Sequence, residues 1–488
     1  MKKNRLNILI AASEASPLAK TGGLGDVVGS LPAAFKKLGC NVSIIIPGYR
    51  HALDQIKTTR SFAEILPVTL GRQKITPEIL ESELAPGIPL YIVRCDEFFD
   101  RSGIYGNSQG EYFDNPERFI FFSRSIPVFC SAAGLNPDVI MCNDWQTGLV
   151  MPLMAEGSLP HTAGVFVVHN IGYQGLVPSE KIDLIGLPDR YYRMEGLEYY
   201  DSMSLLKAGI AYAQAVTTVS PTYANEIQTP EFGSGLDGLM RSVSNRLHGI
   251  LNGVDYDEWD PETDRNIKAN YSRGNITAKK ICKTELLKAM GLADRLGDRP
   301  LMGMITRLAD QKGCRLVAEA AEKIFDMDIG LVLIGTGEKE YHDMFVKLQA
   351  RFPERFALKL DFDLDLAHRI IAGCDMFLMP SLYEPCGLTQ IYGLRYGSIP
   401  IVRATGGLKD TIIDPKESRD GATGFKFKKF SASEMLMAIN RAVNAFSNRK
   451  YWQTIMTNAM SKDFSWHRSA KKYLSVFEKA IAARRGNK

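Results

Sequence analysis

No uninterrupted apolar stretch among the 488 residues is long enough to cross a bilayer, and no two cysteines stand at metal-ligand spacing. Neither sign of charge dominates. The first absence argues against a membrane-embedded protein. The second argues against a zinc or iron–sulfur module: Cys40, Cys95, Cys130, Cys142, Cys282, Cys314, Cys374 and Cys386 are scattered singly, several of them inside apolar runs where a free thiol acts as a small hydrophobe. Lys and Arg number 59 against 55 Asp and Glu, a net charge of +4, which can help attract a phosphate-bearing ligand but is far from the concentrated basicity of a nucleic-acid binder. There is no repeat at solenoid period and no low-complexity segment. Met1 to Arg5 is short and polar, without a hydrophobic signal core. The expectation is a reduced, soluble, cytoplasmic protein with no nucleic-acid or membrane partner.

What is present is a series of short apolar runs separated by helical-looking segments. The first half offers Asn7–Ser13, Asn41–Pro47, Pro89–Arg94, Asp138–Asn143, Gly164–Asn170 and Ala215–Ser220. The second offers Leu301–Thr306, Gly330–Gly335, Phe356–Leu360, Met376–Pro380 and Ser398–Arg403. Runs this short, rich in Val and Ile and apolar at consecutive positions, fit strands buried on both faces of a parallel sheet. Their alternation with helices predicts a doubly wound α/β architecture occurring twice, and the length is too great for one core. The break falls near Ile250–Asp255, before the polar stretch Asp257–Ala278, dividing the chain into domains 1–250 and 251–460. The tail 461–488 reads as helical, with Trp466, Tyr473, Val476 and Phe477 as its apolar members. Ligands in such folds bind outside the carboxyl ends of the strands, so the informative residues are those just after each strand.

Three segments there carry chemistry. Lys20-Thr21-Gly22-Gly23-Leu24-Gly25-Asp26 follows the first strand and opens a helix predicted over Leu24–Leu38. Paired glycines let a ligand approach the backbone, and amides at a helix N-terminus can face a phosphate. It is neither a Walker loop nor a G-x-G-x-x-G fingerprint, and an ordinary glycine turn is the alternative. Thr306 to Gly313 ends the first strand of the second half, where Arg307, a planar donor fork, and Lys312, a point charge, could converge on one diphosphate. Ser381 to Gln390 follows Met376–Pro380. In it Glu384 could grip sugar hydroxyls or stabilise an oxocarbenium-like centre, or else cap the helix that begins near Leu388 and Thr389, whose first amides can take a phosphate.

Taken together, these segments resemble bacterial glycogen synthase and plant starch synthase, retaining glucosyltransferases of the GT-B fold. The resemblance spans nearly the whole chain. Asp114-Asn115 with Arg118-Phe119, Asn143-Asp144-Trp145, Val168-His169-Asn170, Ile250 to Asp255, and Ala404-Thr405-Gly406-Gly407-Leu408 are similar to family segments in the same order. The resemblance implies two Rossmann-like domains facing across a cleft, with the tail helix packing back on the first. It implies ADP-glucose and glycogen or another α-1,4-glucan as partners, and neither metal nor cofactor. By the same resemblance Lys20, Gly22 and Gly23 would meet the donor's phosphates and Asp26 would belong to the donor loop. Arg307 and Lys312 would stabilise departing ADP, Glu384 would hold the glucose, and His169 would reach the donor sugar. Asp144 and Asn252 match polar residues of the sugar pocket, and Cys386, Gly387, Leu388 and Thr389 match the motif around the donor.

Two departures sharpen the placement. Many retaining GT-B enzymes carry a second glutamate eight positions after the first; here that position is Tyr392, as in the glycogen and starch synthase subgroup. Phe362 stands where the bacterial pattern usually has Tyr against the nucleotide base, and a Phe face still stacks. The readings to be separated from ADP-glucose transfer are a UDP-glucose-using synthase, a non-catalytic glucan-binding relative, a nicotinamide-dependent dehydrogenase and a phosphorylase. The dehydrogenase lacks its glycine fingerprint, and the phosphorylase would need a longer chain and a cofactor lysine.

Overall fold

The computed structural model describes residues 5–62 and 67–486; the polar start Met1–Asn4 and the last two residues of the tail lie outside them. The described residues group into two compact units, one of 1–253 with 466–488 and one of 254–465.

Unit 1 is built on a nine-stranded sheet. Its strands are β1 (Asn7–Ala11), β2 (Asn41–Pro47), β3 (Arg60–Ser61), β4 (Glu78–Ala85), β5 (Ile88–Arg94), β6 (Val139–Asn143), β7 (Ala163–Val168), β8 (Ala215–Thr218) and β9 (Leu247–Gly249), in the order β9-β8-β7-β6-β1-β2-β5-β4-β3. β9 through β5 run parallel, with Leu9 facing Ile140 on one side and Ser43 on the other. Four of the five β1 residues are buried, as two-faced coverage requires. The antiparallel additions β4 and β3 were not legible: Glu78, Glu81 and Glu83 break β4's apolar pattern because it lies near the sheet's edge. β9 is too short to announce itself.

Helix α1 (Gly23–Lys37) follows β1, and Lys36 and Lys37 complement the negative end of its dipole. Against it packs the C-terminal helix, Trp466–Gly486, through Phe35 with Phe477 at 5.5 Å and Tyr473 at 6.2 Å between ring centroids. This helix does not begin at Ser461 as the sequence pattern suggested. Residues 461–465 are non-helical because they pair with the outgoing chain: the Val254 amide donates to the Phe464 carbonyl at 2.9 Å, and the Phe464 amide to the Tyr256 hydroxyl at 2.9 Å. Gly253 stands where a Cβ would lie 2.5 Å from the Trp466 backbone, so a side chain there has no room.

Unit 2 holds a six-stranded parallel sheet. Its strands are β10 (Leu301–Ile305), β11 (Gly330–Ile334), β12 (Phe356–Lys359), β13 (Met376–Met379), β14 (Ile399–Arg403) and β15 (Phe425–Phe427), ordered β12-β11-β10-β13-β14-β15. Between them run α2 (Cys314–Asp326), α3 (Lys339–Arg351), α4 (Leu364–Gly373) and α5 (Thr389–Tyr396). The polar stretch after Asp257 is folded onto this unit. Trp259 lies between His368 (3.7 Å) and Tyr392 (4.0 Å) in parallel stacks, and Asp264 accepts from His368 Nδ1 at 2.8 Å and the Tyr396 hydroxyl at 2.6 Å. No helix among the described residues is long and apolar enough to cross a membrane.

Phe477 is fully buried. Phe477→Ala should cost about 3–5 kcal/mol, on the scale of other buried Phe truncations. Urea unfolding followed by far-UV dichroism measures it, and a change below about 1 kcal/mol would mean that the C-terminal helix is peripheral to unit 1.

Candidate active site

In each sheet the strand order reverses once, and there the loops at the carboxyl ends splay apart to leave a crevice. In unit 1 the reversal lies between β1 and β6; in unit 2 it lies between β10 and β13. The residues singled out by sequence stand on the loops leaving these strands or their neighbours.

After β1, the chain folds back on α1. Ala15 and Ala19 exchange backbone hydrogen bonds at 2.9 Å each, and the Ser16 amide donates to the Gly25 carbonyl at 3.0 Å. Lys20 Nζ reaches Asp26 Oδ1 at 2.6 Å, with both side chains partly exposed. Burial pushes the Asp26 carboxyl up and Lys20 opposes it. Space at Gly22 is open where its side chain would be, as a close ligand approach needs. A residue the sequence reading missed anchors this loop. Glu14, 3% exposed, accepts from the Thr21 amide (2.7 Å), the Thr21 hydroxyl (2.7 Å), the Gly22 amide (3.2 Å) and the Tyr105 hydroxyl (2.7 Å). The available signal was a lone carboxylate directly after a buried strand.

After β6 and β7, Asp144 and His169 come together. Asp144 adopts a left-handed backbone (φ 55°), unusual for a non-glycine residue, and its Oδ1 accepts the His169 amide at 2.7 Å. Burial raises its carboxyl to about 7, against the amides of His169 and Asn170, which favour the charged form. Burial lowers His169 to about 3, so its ring is neutral at physiological pH. The tautomer follows from Asn143, whose Nδ2 donates to the Ala11 carbonyl at 3.0 Å and the Met141 carbonyl at 3.3 Å. That leaves Asn143 Oδ1 facing His169 Nε2 at 3.0 Å, so Nε2 carries the proton. Asn252 joins neither pair: it is buried, and its Oδ1 has no hydrogen-bond partner among the described residues. Such an unpartnered buried acceptor is an exception to the usual satisfaction of buried polar groups.

In unit 2, Lys312 and Glu384 form an ion pair, Nζ to Oε2 at 2.6 Å, and Ser381 Oγ donates to the same oxygen at 3.0 Å. Glu384 is 7% exposed. It does not cap α5, whose N-cap position, Leu388, makes no side-chain cap. Arg307 is exposed and donates to Gln311 Oε1 at 3.1 Å, while Gln311 Nε2 donates to the Tyr383 carbonyl at 3.1 Å. The Glu384 loop is held from behind. Gly406 (φ 43°) lies so close that a Cβ would stand 1.9 Å from the Glu384 carbonyl oxygen. Gly387 (φ 71°) turns the chain over Gln390, whose side-chain amide donates to the Cys386 and Gly387 carbonyls at 3.0 Å each. Phe362 stands apart after β12 with its ring 65% exposed. Tyr392, at the position of the second family glutamate, is committed to the stack on Trp259. Among the described residues no group of His, Cys, Asp and Glu is arranged to hold a metal ion.

These elements can neutralise a diphosphate with guanidinium and ammonium groups and offer carboxylates to sugar hydroxyls. The raised Asp144 carboxyl also has a signature in stability. Because its folded value lies above its ordinary 3.8, ionising it weakens the fold, so this contribution to stability is lost as pH rises toward 7. Asp144→Asn, which cannot ionise, should therefore gain in melting temperature relative to the parent between pH 4.5 and 8. A constant difference across that range would refute the assignment.

Comparison with known proteins gives the family and the fold. The family model for the starch synthase catalytic domain matches residues 7–242, and that for glycosyl transferases group 1 matches 294–456. The chain is 48% identical over 482 residues to a glycogen synthase of Desulfatibacillum aliphaticivorans, covering 98% of this chain and 100% of that one. It is 44% identical to a glycogen synthase of Syntrophotalea carbinolica, covering 98% and 99%. Among solved structures, the catalytic domain of starch synthase IV from Arabidopsis thaliana bound to ADP and acarbose superposes with a TM-score of 0.90, at 33% identity, over 98% of this chain and 100% of that one. With full-length matches at this identity and the doubly wound sheet found in both units, the chain belongs to the glycogen and starch synthase family of GT-B glycosyltransferases.

Proposed function

We propose that this protein transfers glucose from ADP-glucose to the non-reducing end of an α-1,4-glucan, with retention of configuration and release of ADP. The observation that carries the reading is the Lys312–Glu384 pair at the switch point of unit 2, a cation for the leaving group bonded to a buried carboxylate for the sugar. The ADP and acarbose in the related starch synthase structure support the same donor and acceptor chemistry.

In the reaction the bond from the anomeric carbon to the diphosphate lengthens, positive charge builds on the sugar and negative charge on the departing ADP. Arg307 and Lys312, with the uncapped first turn of α5, answer the negative charge, and their value lies in holding it more strongly in the transition state than before. Glu384 holds sugar hydroxyls and faces the positive charge. His169, neutral and with Nε2–H committed to Asn143, serves the sugar as a polar group and not as a cation. Lys20 and the Gly22–Gly23 turn meet the phosphates, and Phe362 stacks on the base. Cationic side chains then do for the diphosphate what a divalent ion does elsewhere. The eight cysteines, all unpaired, support a reducing, cytoplasmic setting.

Released nucleoside diphosphate, measured with glycogen and each sugar nucleotide, should give a higher kcat/KM for ADP-glucose than for UDP-glucose. A clear UDP-glucose preference would move the donor assignment. Glu384→Gln keeps the shape and removes the charge; kcat should fall about a hundredfold or more, with donor binding changed less. Retention of full activity by that variant would remove Glu384 from the chemistry.

A further inference from the structure

Among the described residues no cationic side chain bonds to Glu14: Thr21, Gly22 and Tyr105 supply neutral donors only. A carboxylate taken out of water without a counter-ion is costly unless hydrogen-bonded throughout. Here the bonds come from the loop that carries Lys20. Glu14 and Thr21 are the two ends of a short return closed by the Ala15–Ala19 pair, so the carboxylate acts as a clasp on that return. Space has been kept for it. A Cβ on Gly25 would lie 3.2 Å from Glu14 Oε2 and 3.0 Å from Lys20 Cγ, and one on Gly29 would lie 2.7 Å from the Ser16 carbonyl oxygen. Two helix positions therefore lack side chains so that the segment following Glu14 can lie against α1.

The consequence concerns which donors face a ligand. With the Thr21 and Gly22 amides turned onto Glu14, an anion meeting this loop is left Lys20 and the amides from Gly23 onward, at the start of a fifteen-residue helix whose N-cap makes no side-chain bond. We propose that Glu14 is the positioning residue of this loop, fixing the path of Lys20–Gly23 and hence the direction from which Lys20 and the first amides of α1 meet the donor's diphosphate. The inference rests on the nucleotide-sugar reading given above. Glu14 also acts at a distance on Asp144 and Asp26, since its charge disfavours ionisation of both carboxyls.

The test uses the full chain, with ADP as the binding probe in calorimetry and glucosyl transfer to glycogen as the kinetic readout. Glu14→Gln should raise the Kd for ADP and the KM for the nucleotide sugar about tenfold or more, the scale of losing hydrogen bonds to a charged group, while the glycogen KM stays within about twofold. Thr21→Val, which removes one of the four bonds, should move the same constants in the same direction by less. In Glu14→Gln kcat at saturating donor should fall less than kcat/KM, the split expected of a positioning residue and not of a general loss of structure. A folded Glu14→Gln protein with unchanged ADP affinity and donor KM overturns the proposal. Should Glu14→Gln not fold, Thr21→Val decides on ADP affinity alone, and no change there overturns it. A parent protein that binds ADP but transfers no sugar would refute the activity while calorimetry still decides on Glu14. A parent that does not bind ADP would refute both.

Discussion

A parallel sheet covered on both faces leaves little room for polar side chains except at and beyond the ends of its strands, and the strands that lead to the candidate site follow that constraint. Apart from Asn7 at the start of β1 and Asn143 at the end of β6, the strands β1, β6, β7, β10 and β13 are apolar, and the residues able to do chemistry come where the strands stop: Glu14, Asp144, His169, Arg307 and Ser381. The point at which strand order reverses decides which of these loops are neighbours. The helices then fix the loops in turn, by close backbone approach at Gly29 and Gly313 and by the Gly406–Gly407 turn behind Glu384. Packing thus sets the position of the polar groups, and the polar groups contribute little to the packing.

Electrostatically, the loops are arranged in balanced pairs. Lys20 is held by Asp26 and Lys312 by Glu384, each at 2.6 Å. A diphosphate entering such a site competes with or joins an existing carboxylate partner, so the field it meets is weaker than the count of cations suggests. The pairs also keep flexible ammonium groups in a defined place before the ligand arrives, which reduces what ordering them costs on binding. Asp144 represents the opposite arrangement. Asp144 is partly exposed, but surrounding protein shields its carboxyl from water, its hydrogen-bond partners among the described residues are backbone amides, and the neighbouring charge of Glu14 disfavours ionisation further, so its proton is retained to about 7.

The sheet strands were legible because their signal is local: five consecutive apolar residues such as Leu301–Ile305 leave few alternatives. β3 and β4 were not, since an edge position relaxes the demand for apolar residues on both faces, and the start of the C-terminal helix was misjudged because Phe464 pairs with a residue more than two hundred positions away. At the candidate site, Lys20 with its paired glycines, Arg307 with Lys312, and Glu384 stood out through glycine and charge spacing, while His169, Asp144, Asn252 and Phe362 were singled out by the family resemblance alone. The residues that orient them did not stand out. Asn143, Ser381, Gln311 and Glu14 act through bonds to backbone or to one partner that is close only after folding, so their sequence neighbourhood shows at most that they follow a strand and not what they orient.

The stack in unit 2 has an optical consequence. Of the four tryptophans, Trp259 lies between two rings at 3.7 and 4.0 Å, a contact that gives its excited state a ready non-radiative path and should leave it dim. Trp145 is placed very differently. It follows Asp144 directly, touches Phe119 edge-on at 4.9 Å, and lies so close to Gly175, on the segment leaving His169, that a Cβ there would come within 2.3 Å of the indole. The intrinsic emission of the protein is therefore weighted away from the aromatic stack of unit 2, and Trp145 is seated against the loops that carry Asp144 and His169, where a change in local polarity would register as a spectral shift.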